Sequence, residues 1–119
     1  MTFEGDDVAS VDECRQALRD LAARLDRNAE TVRERIDLDR TLACRVTDLD
    51  VAFHGRLAGG RLLDLTDGDD PKAKIALSTN SDDLLALVGG KLDVTAAVAS
   101  RRVTIKANPF DLLKLRKLL

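Results

Sequence analysis

The stretch DGDDPKAKIALSTNSDDLLALVGGKLDVTAAVASRRVTIKANPFDLLKL, residues 67–115, decides the fold, because its apolar residues change period several times. It opens on a turn signal, Asp67-Gly68-Asp69-Asp70-Pro71. Ala73, Ile75 and Leu77 then alternate with Lys72, Lys74 and Ala76, the two-residue period of a strand. Ser81 is placed to cap a helix, since its hydroxyl can accept from the backbone of Asp83 or Leu84, and the two aspartates suit the positive helix end. Leu84, Leu85, Leu87 and Val88 supply the buried side of that helix, and Gly89-Gly90 ends it. Leu92, Ala96, Ala97 and Val98 mark another short helical element whose alanines permit close approach to a neighbour. Residues 101–107 read as a strand with Val103 and Ile105 inward. Pro109 suits the first turn of a closing helix that carries Phe110, Leu112, Leu113, Leu115, Leu118 and Leu119. In that helix Asp111 stands near the start and Lys114, Arg116 and Lys117 near the end, the order a helix dipole favours.

Working outward, residues 41–46 alternate through Leu42, Cys44 and Val46, and residues 49–57 through Leu49, Val51, Phe53 and Gly55. Leu63 and Leu65 alternate in the next segment, and Gly59-Gly60 separates it from its predecessor as a tight turn does. Short strands joined by short turns are most simply an antiparallel meander. Ahead of them, Cys14, Ala17, Leu18, Leu21, Ala22 and Leu25 recur at helical spacing over about residues 10–27, with Ser10 and Glu13 placed as a capping box. Residues 28–35 form a second short helical piece with Val32 and Ile36 turned inward. Residues 1–9 are an acidic, flexible lead-in, which leaves one domain over 10–119. The fold class is therefore α+β, a mostly antiparallel five-stranded sheet covered by helices, and the missing βαβ alternation argues against a wound parallel sheet.

The second half resembles the sterol carrier protein type 2 (SCP2) family. The likeness rests on Asp67-Gly68, Ile75, Leu77-Ser78, Asp83 to Leu87, Gly90, Leu92, Ala97, Arg102 to Lys106, Asn108 and Leu112 to Leu118. It covers roughly residues 12–119, most strongly after 60, and DLLKLRKLL (111–119) looks like that of small stand-alone bacterial members. The resemblance implies an SCP2-like fold enclosing a fatty acid, fatty acyl-CoA or sterol-like molecule between sheet and helices. The chain departs from the family pattern at Arg101-Arg102 and Ala107-Asn108, both of which bear on the pocket entrance.

Composition agrees with an aliphatic interior. Among 119 residues 45% are hydrophobic, yet Phe3, Phe53 and Phe110 are the only aromatics. Lys and Arg total 19 against 21 Asp and Glu, a net charge of -2 with the signs interleaved, which argues against nucleic acid. Cys14 and Cys44 lack CxxC spacing; a single disulfide between them stays open, but isolated thiols read as small buried apolar groups. The start of the chain does not read as a signal peptide, and no window reaches the roughly 18 apolar residues of a membrane span, so a cytoplasmic location is expected.

The candidate ligand-binding residues are Leu63, Leu65, Ile75, Leu77, Leu84, Leu85, Val88, Phe110, Leu113 and Leu118. The same residues would also serve as ordinary core, because periodicity cannot show a cavity. The apolar residues of the final helix exceed one narrow stripe, as a deeply packed terminal helix, a lid formed by Phe110, Leu113 and Leu118, a membrane-touching surface or a dimer contact would each require. The basic last turn would attract an anionic head group or simply be solvated. His54 lacks a partner acid or nucleophile in the sequence pattern and reads as structural. Asp69-Asp70 and Asp82-Asp83 fit turns and caps, without calcium-loop spacing, and Asp48, Asp50 and Asp64 are expected in strands, facing Arg45, Arg56 and Arg61. The glycine pairs are turns, not nucleotide loops. No catalytic residue, metal or cofactor is expected. The expected partner is an apolar small molecule, a lipid, with transient membrane contact, no nucleic acid, and a monomeric or weakly dimeric state. The alternative is a protein-interaction module with the same fold and a collapsed pocket.

Overall fold

The computed structural model of the chain describes residues 9–35 and 37–116. The first helix, α1 (Val11–Arg27), is set by the expected capping box: Ser10 Oγ accepts from Glu13 N–H, and the Glu13 carboxylate accepts from Ser10 N–H. Its apolar stripe buries Cys14, Ala17 and Leu18. Ala9, at the end of the expected lead-in, is buried and its N–H donates to Asp82 Oδ1 at 3.1 Å; the rest of the lead-in lies outside the described residues. A short α2 (Ala29–Arg35) follows, with Val32 half-buried, and Ile36 lies outside the described residues.

The strands β1 (Asp39–Val46), β2 (Val51–Ala58) and β3 (Arg61–Asp67) form the expected antiparallel meander. Gly60 makes its tight turn possible. Its φ is +77°, and a Cβ there would run into the backbone of Ala29 and Arg33, so the hairpin tip lies directly against α2. The next strand, β4 (Ile75–Thr79), crosses over to pair in parallel with β1, and β5 (Val103–Lys106) adds antiparallel to β4. The order β3-β2-β1-β4-β5 makes β1 the central strand.

In β3 the simple alternation expected of Leu63 and Leu65 does not hold. Asp64 takes a left-handed φ of 55°, and the register with β2 shifts between His54 and Arg56. This β-bulge adds a residue and reverses the faces. Leu62, opposite Leu57, and Leu65 face the helices, whereas Leu63, opposite Arg56, faces the open side. A Cβ on Gly55 would lie 2.8 Å from the Leu63 carbonyl oxygen, so the bulge needs a glycine across from it.

The helix α3 (Ser81–Val88) is not capped by Ser81 as expected. Its cap is Asn80, whose Oδ1 accepts from Asp83 N–H at 2.8 Å, because Asn80 holds the extended φ/ψ a cap requires. Ser81 is instead the fully buried first helical residue, and its N–H and hydroxyl donate to Asp48 Oδ1 and Oδ2 at 2.8 and 2.6 Å. Asp48 and Asp50 belong to the β1–β2 turn, not to strands. The expected arginines find other carboxylates: Arg45 pairs with Asp69, Arg56 with Asp39 and Arg61 with Asp26. The helix α4 (Val94–Ala99) packs on β5 through the fully buried Ala97, and Pro109 opens α5 (Pro109–Arg116) as expected.

Candidate ligand-binding face

Two-residue alternation places Arg40, Leu42, Cys44 and Val46 of β1 on one face of the sheet. Their cross-strand partners are Leu57, Gly55, Phe53 and Val51 on β2, and Ile75, Leu77 and Thr79 on β4, with Ile105 and Val103 beyond on β5. This is the helix-covered face, and its two halves differ. Near the Val46 end, Cys44, Val46 and Phe53 pack with Cys14, Ala17 and Leu18 of α1 and with Leu84 and Val88 of α3. That half is sealed: Val46 is 0% and Phe53 1% exposed. Near the other end Leu38 and Ile75 are buried, but Leu42, Ile105 and Ala107 against them are only half-buried, although Leu42 belongs to the central strand.

The candidate residues distribute accordingly. Leu84 and Val88 lie inside the sealed cluster, with Leu65, Leu77 and Leu85 at its margin. Ile75 belongs to the second cluster. Phe110 and Leu113 point outward from α5, 76% and 58% exposed, and Leu63 faces the open side. Leu118 lies outside the described residues. The structure thus gathers the candidates from β4, α3 and Leu65, and does not bring Leu63, Phe110 or Leu113 to them. Leu42 and Ile105 are readable as inward strand residues, yet nothing in the period marks them as less covered than Cys44.

Residues that the sequence marks only as a helix-start charge and a family position, not as site residues, provide the polar feature of the loose half. Asp111 of α5 is 1% exposed; Oδ2 accepts from Arg40 Nε at 2.9 Å, and its N–H donates to Asn108 Oδ1 at 2.8 Å. Asp111 Oδ1 is buried and lacks a hydrogen-bond partner among the described residues. Such an unpaired buried acceptor costs roughly 1–3 kcal/mol, more when charged.

In the sealed half, burial pushes the Cys44 thiol up to about 12, and burial with the nearby Asp48, Glu13 and Asp82 carboxylates also raises Cys14. Neither cysteine is in a disulfide. Burial works to raise Asp48, but the hydrogen bonds from Ser81 and the adjoining backbone outweigh it and hold the carboxyl below its ordinary value. His54 lies on the open face, where its Nδ1–H donates to the Gly68 carbonyl at 2.9 Å. Two grooves flank the sheet ends, the first lined by Val11, Val46, Val51 and Phe53 together with charged residues, the second mainly polar. One of about 660 Å³ includes Arg15, Arg45, Asp67 and Asp69; another of about 620 Å³ includes Asn80, Asp83, Arg101 and Arg102. Neither includes a candidate ligand residue. Among the described residues no cluster of His, Cys, Asp or Glu could hold a metal, and no helix is long and apolar enough to cross a membrane.

Residues 15–119 match the SCP-2 sterol transfer family. No curated protein matches the chain. Among solved structures, palmitated SCP2L2 from Aedes aegypti is 15% identical over 92% of this chain and 94% of that one, with a TM-score of 0.60. Sterol carrier protein 2 from Aedes aegypti in complex with palmitate is 17% identical over 82% of this chain and 91% of that one, with a TM-score of 0.57. At these identities the likeness is one of fold. A stereoselective inverting sec-alkylsulfatase from Pseudomonas sp. is 25% identical over 62% of this chain, with a TM-score of 0.53. The match spans only 12% of that sulfatase, so the shared fold there is one part of a much longer chain.

Proposed function

Because this chain belongs to the SCP-2 sterol transfer family, we propose that it binds and carries a lipid with an alkyl chain, without catalysis, on the half of the sheet beneath α5. The observation that carries this reading is the incomplete burial of Leu42 and Ile105, inward residues that a sealed core would cover fully. Each methylene laid against such an aliphatic wall gains about 0.8 kcal/mol before ordering costs, so no catalytic group is needed for retention. Ile75 extends the wall, with Leu77 and Leu85 at its border with the sealed cluster, while Leu63 is set apart from it on the opposite face. The palmitate held by the mosquito proteins and the alkyl substrate in the sulfatase's name both support a flexible chain. Phe110 and Leu113, outward on α5, suit brief contact with a membrane during loading.

Native mass spectrometry of the freshly purified chain, followed by organic extraction, tests the proposal. The expected result is a stoichiometric aliphatic lipid. A clean unliganded mass that stays unchanged when fatty acids and sterols are added would instead favour a protein-interaction module.

A further inference from the structure

The first turn of α5 places apolar and charged side chains unexpectedly. Phe110 and Leu113 face outward, whereas the carboxylate of Asp111 is turned in against the sheet, to Arg40 on the helix-facing side of β1. Arg40 uses Nε on Asp111 Oδ2 and Nη1 on the Asp39 carbonyl. Among the described residues its Nη2 has no partner, and neither has the buried Asp111 Oδ1. Two positions along β1, on the same face, stands Leu42, with Ile75 across from it. Leu42 and Ile75 are therefore followed on the same face by Arg40, 36% exposed, and by the carboxylate it holds, one of whose buried oxygens is unpartnered.

We propose that Asp111 and Arg40 form the polar end of the ligand site and select an uncharged alcohol head group on an alkyl chain. The inference rests on the lipid-binding reading above. A hydroxyl satisfies both atoms, donating to Asp111 Oδ1 while its oxygen accepts from Arg40 Nη2. A carboxylate brings a second negative charge and no donor, an ammonium group meets the guanidinium, and a bare alkyl end leaves Oδ1 unpaired. Sites built to hydrogen-bond a hydroxyl discriminate strongly against analogues that lack it.

Thermal melts of the full chain, followed by circular dichroism with 1-dodecanol, 1-chlorododecane or laurate, separate these cases through the apparent affinities drawn from the Tm shifts. Dodecanol is expected to bind about tenfold more tightly than either analogue. In Asp111→Asn, Arg40 Nε retains the amide oxygen, so the NH2 group takes the vacant position and offers a donor. The alcohol-to-laurate ratio should then fall by about tenfold, a swing that loss of a merely structural contact does not produce. Equal binding of alcohol and chloride by the wild type, or an unchanged ratio in Asp111→Asn, overturns the inference and leaves lipid binding standing. If none of the compounds raises Tm, the lipid-binding reading fails and this one with it. Should Asp111→Asn not fold, the wild-type ratio decides alone.

Discussion

The two halves of the helix-covered face are built from the same strands with the same alternation, yet they carry different duties. Under α1 and α3, Cys44, Val46 and Phe53 meet close-fitting partners and are withdrawn from water. Near α5, Leu42 and Ile105 keep part of their surface, and that helix turns the Asp111 carboxylate inward and Phe110 and Leu113 outward. The difference lies in the covering helices. A long helix fixed by a capping box and tied to α3 through the Arg24 bond to the Val88 carbonyl makes a core, whereas a short one held by an Arg–Asp pair leaves Leu42 and Ile105 only half-covered.

The contrast predicts unequal costs for substitution. Phe53→Ala, in the sealed half, should lose about 3–5 kcal/mol in urea denaturation, as large truncations in tight cores do. A loss below about 1 kcal/mol would show that this half is not sealed. Next in size is Asp48→Ala, which strands the buried N–H and hydroxyl of Ser81 at the start of α3 and should cost about 1–3 kcal/mol by the same measurement.

Alkali should act on the same half. The folded Cys44 pKa is raised from 9.0 to about 12, so its contribution to stability is complete below pH 9 and declines as pH rises from about 9 toward 12, where the unfolded chain ionises first. Urea midpoints across that range check the sign, and iodoacetamide should not label either native thiol at neutral pH. The smallest effect belongs to Phe110→Ser: at 76% exposure the ring contributes little to folding, and the midpoint should move by less than about 0.5 kcal/mol.

Much of this architecture is legible from the sequence where the cause is local. Ser10 and Glu13 announce α1, Gly59-Gly60 the hairpin, and Pro109 the start of α5. What is not legible depends on distant partners or on single-residue slips. No local feature says that β4 will leave β3 and lie parallel to β1. The left-handed conformation at Asp64, a residue type that only sometimes adopts it, moves Leu63 to the other face. Asp111 reads naturally as a solvated helix-start charge, and only Arg40, 71 residues earlier, draws it inside. The candidate site was legible as a list of inward leucines, but which half of the face stays loose is a property of helix packing.

The most direct test of that division is a methyl-resolved NMR titration of the full chain with 1-dodecanol. Shifts are expected to concentrate on Leu42, Ile75 and Ile105, with the methyls of Val46 and Leu18 little changed. Perturbation centred on Val46 and Leu18, or none at all, would contradict that division.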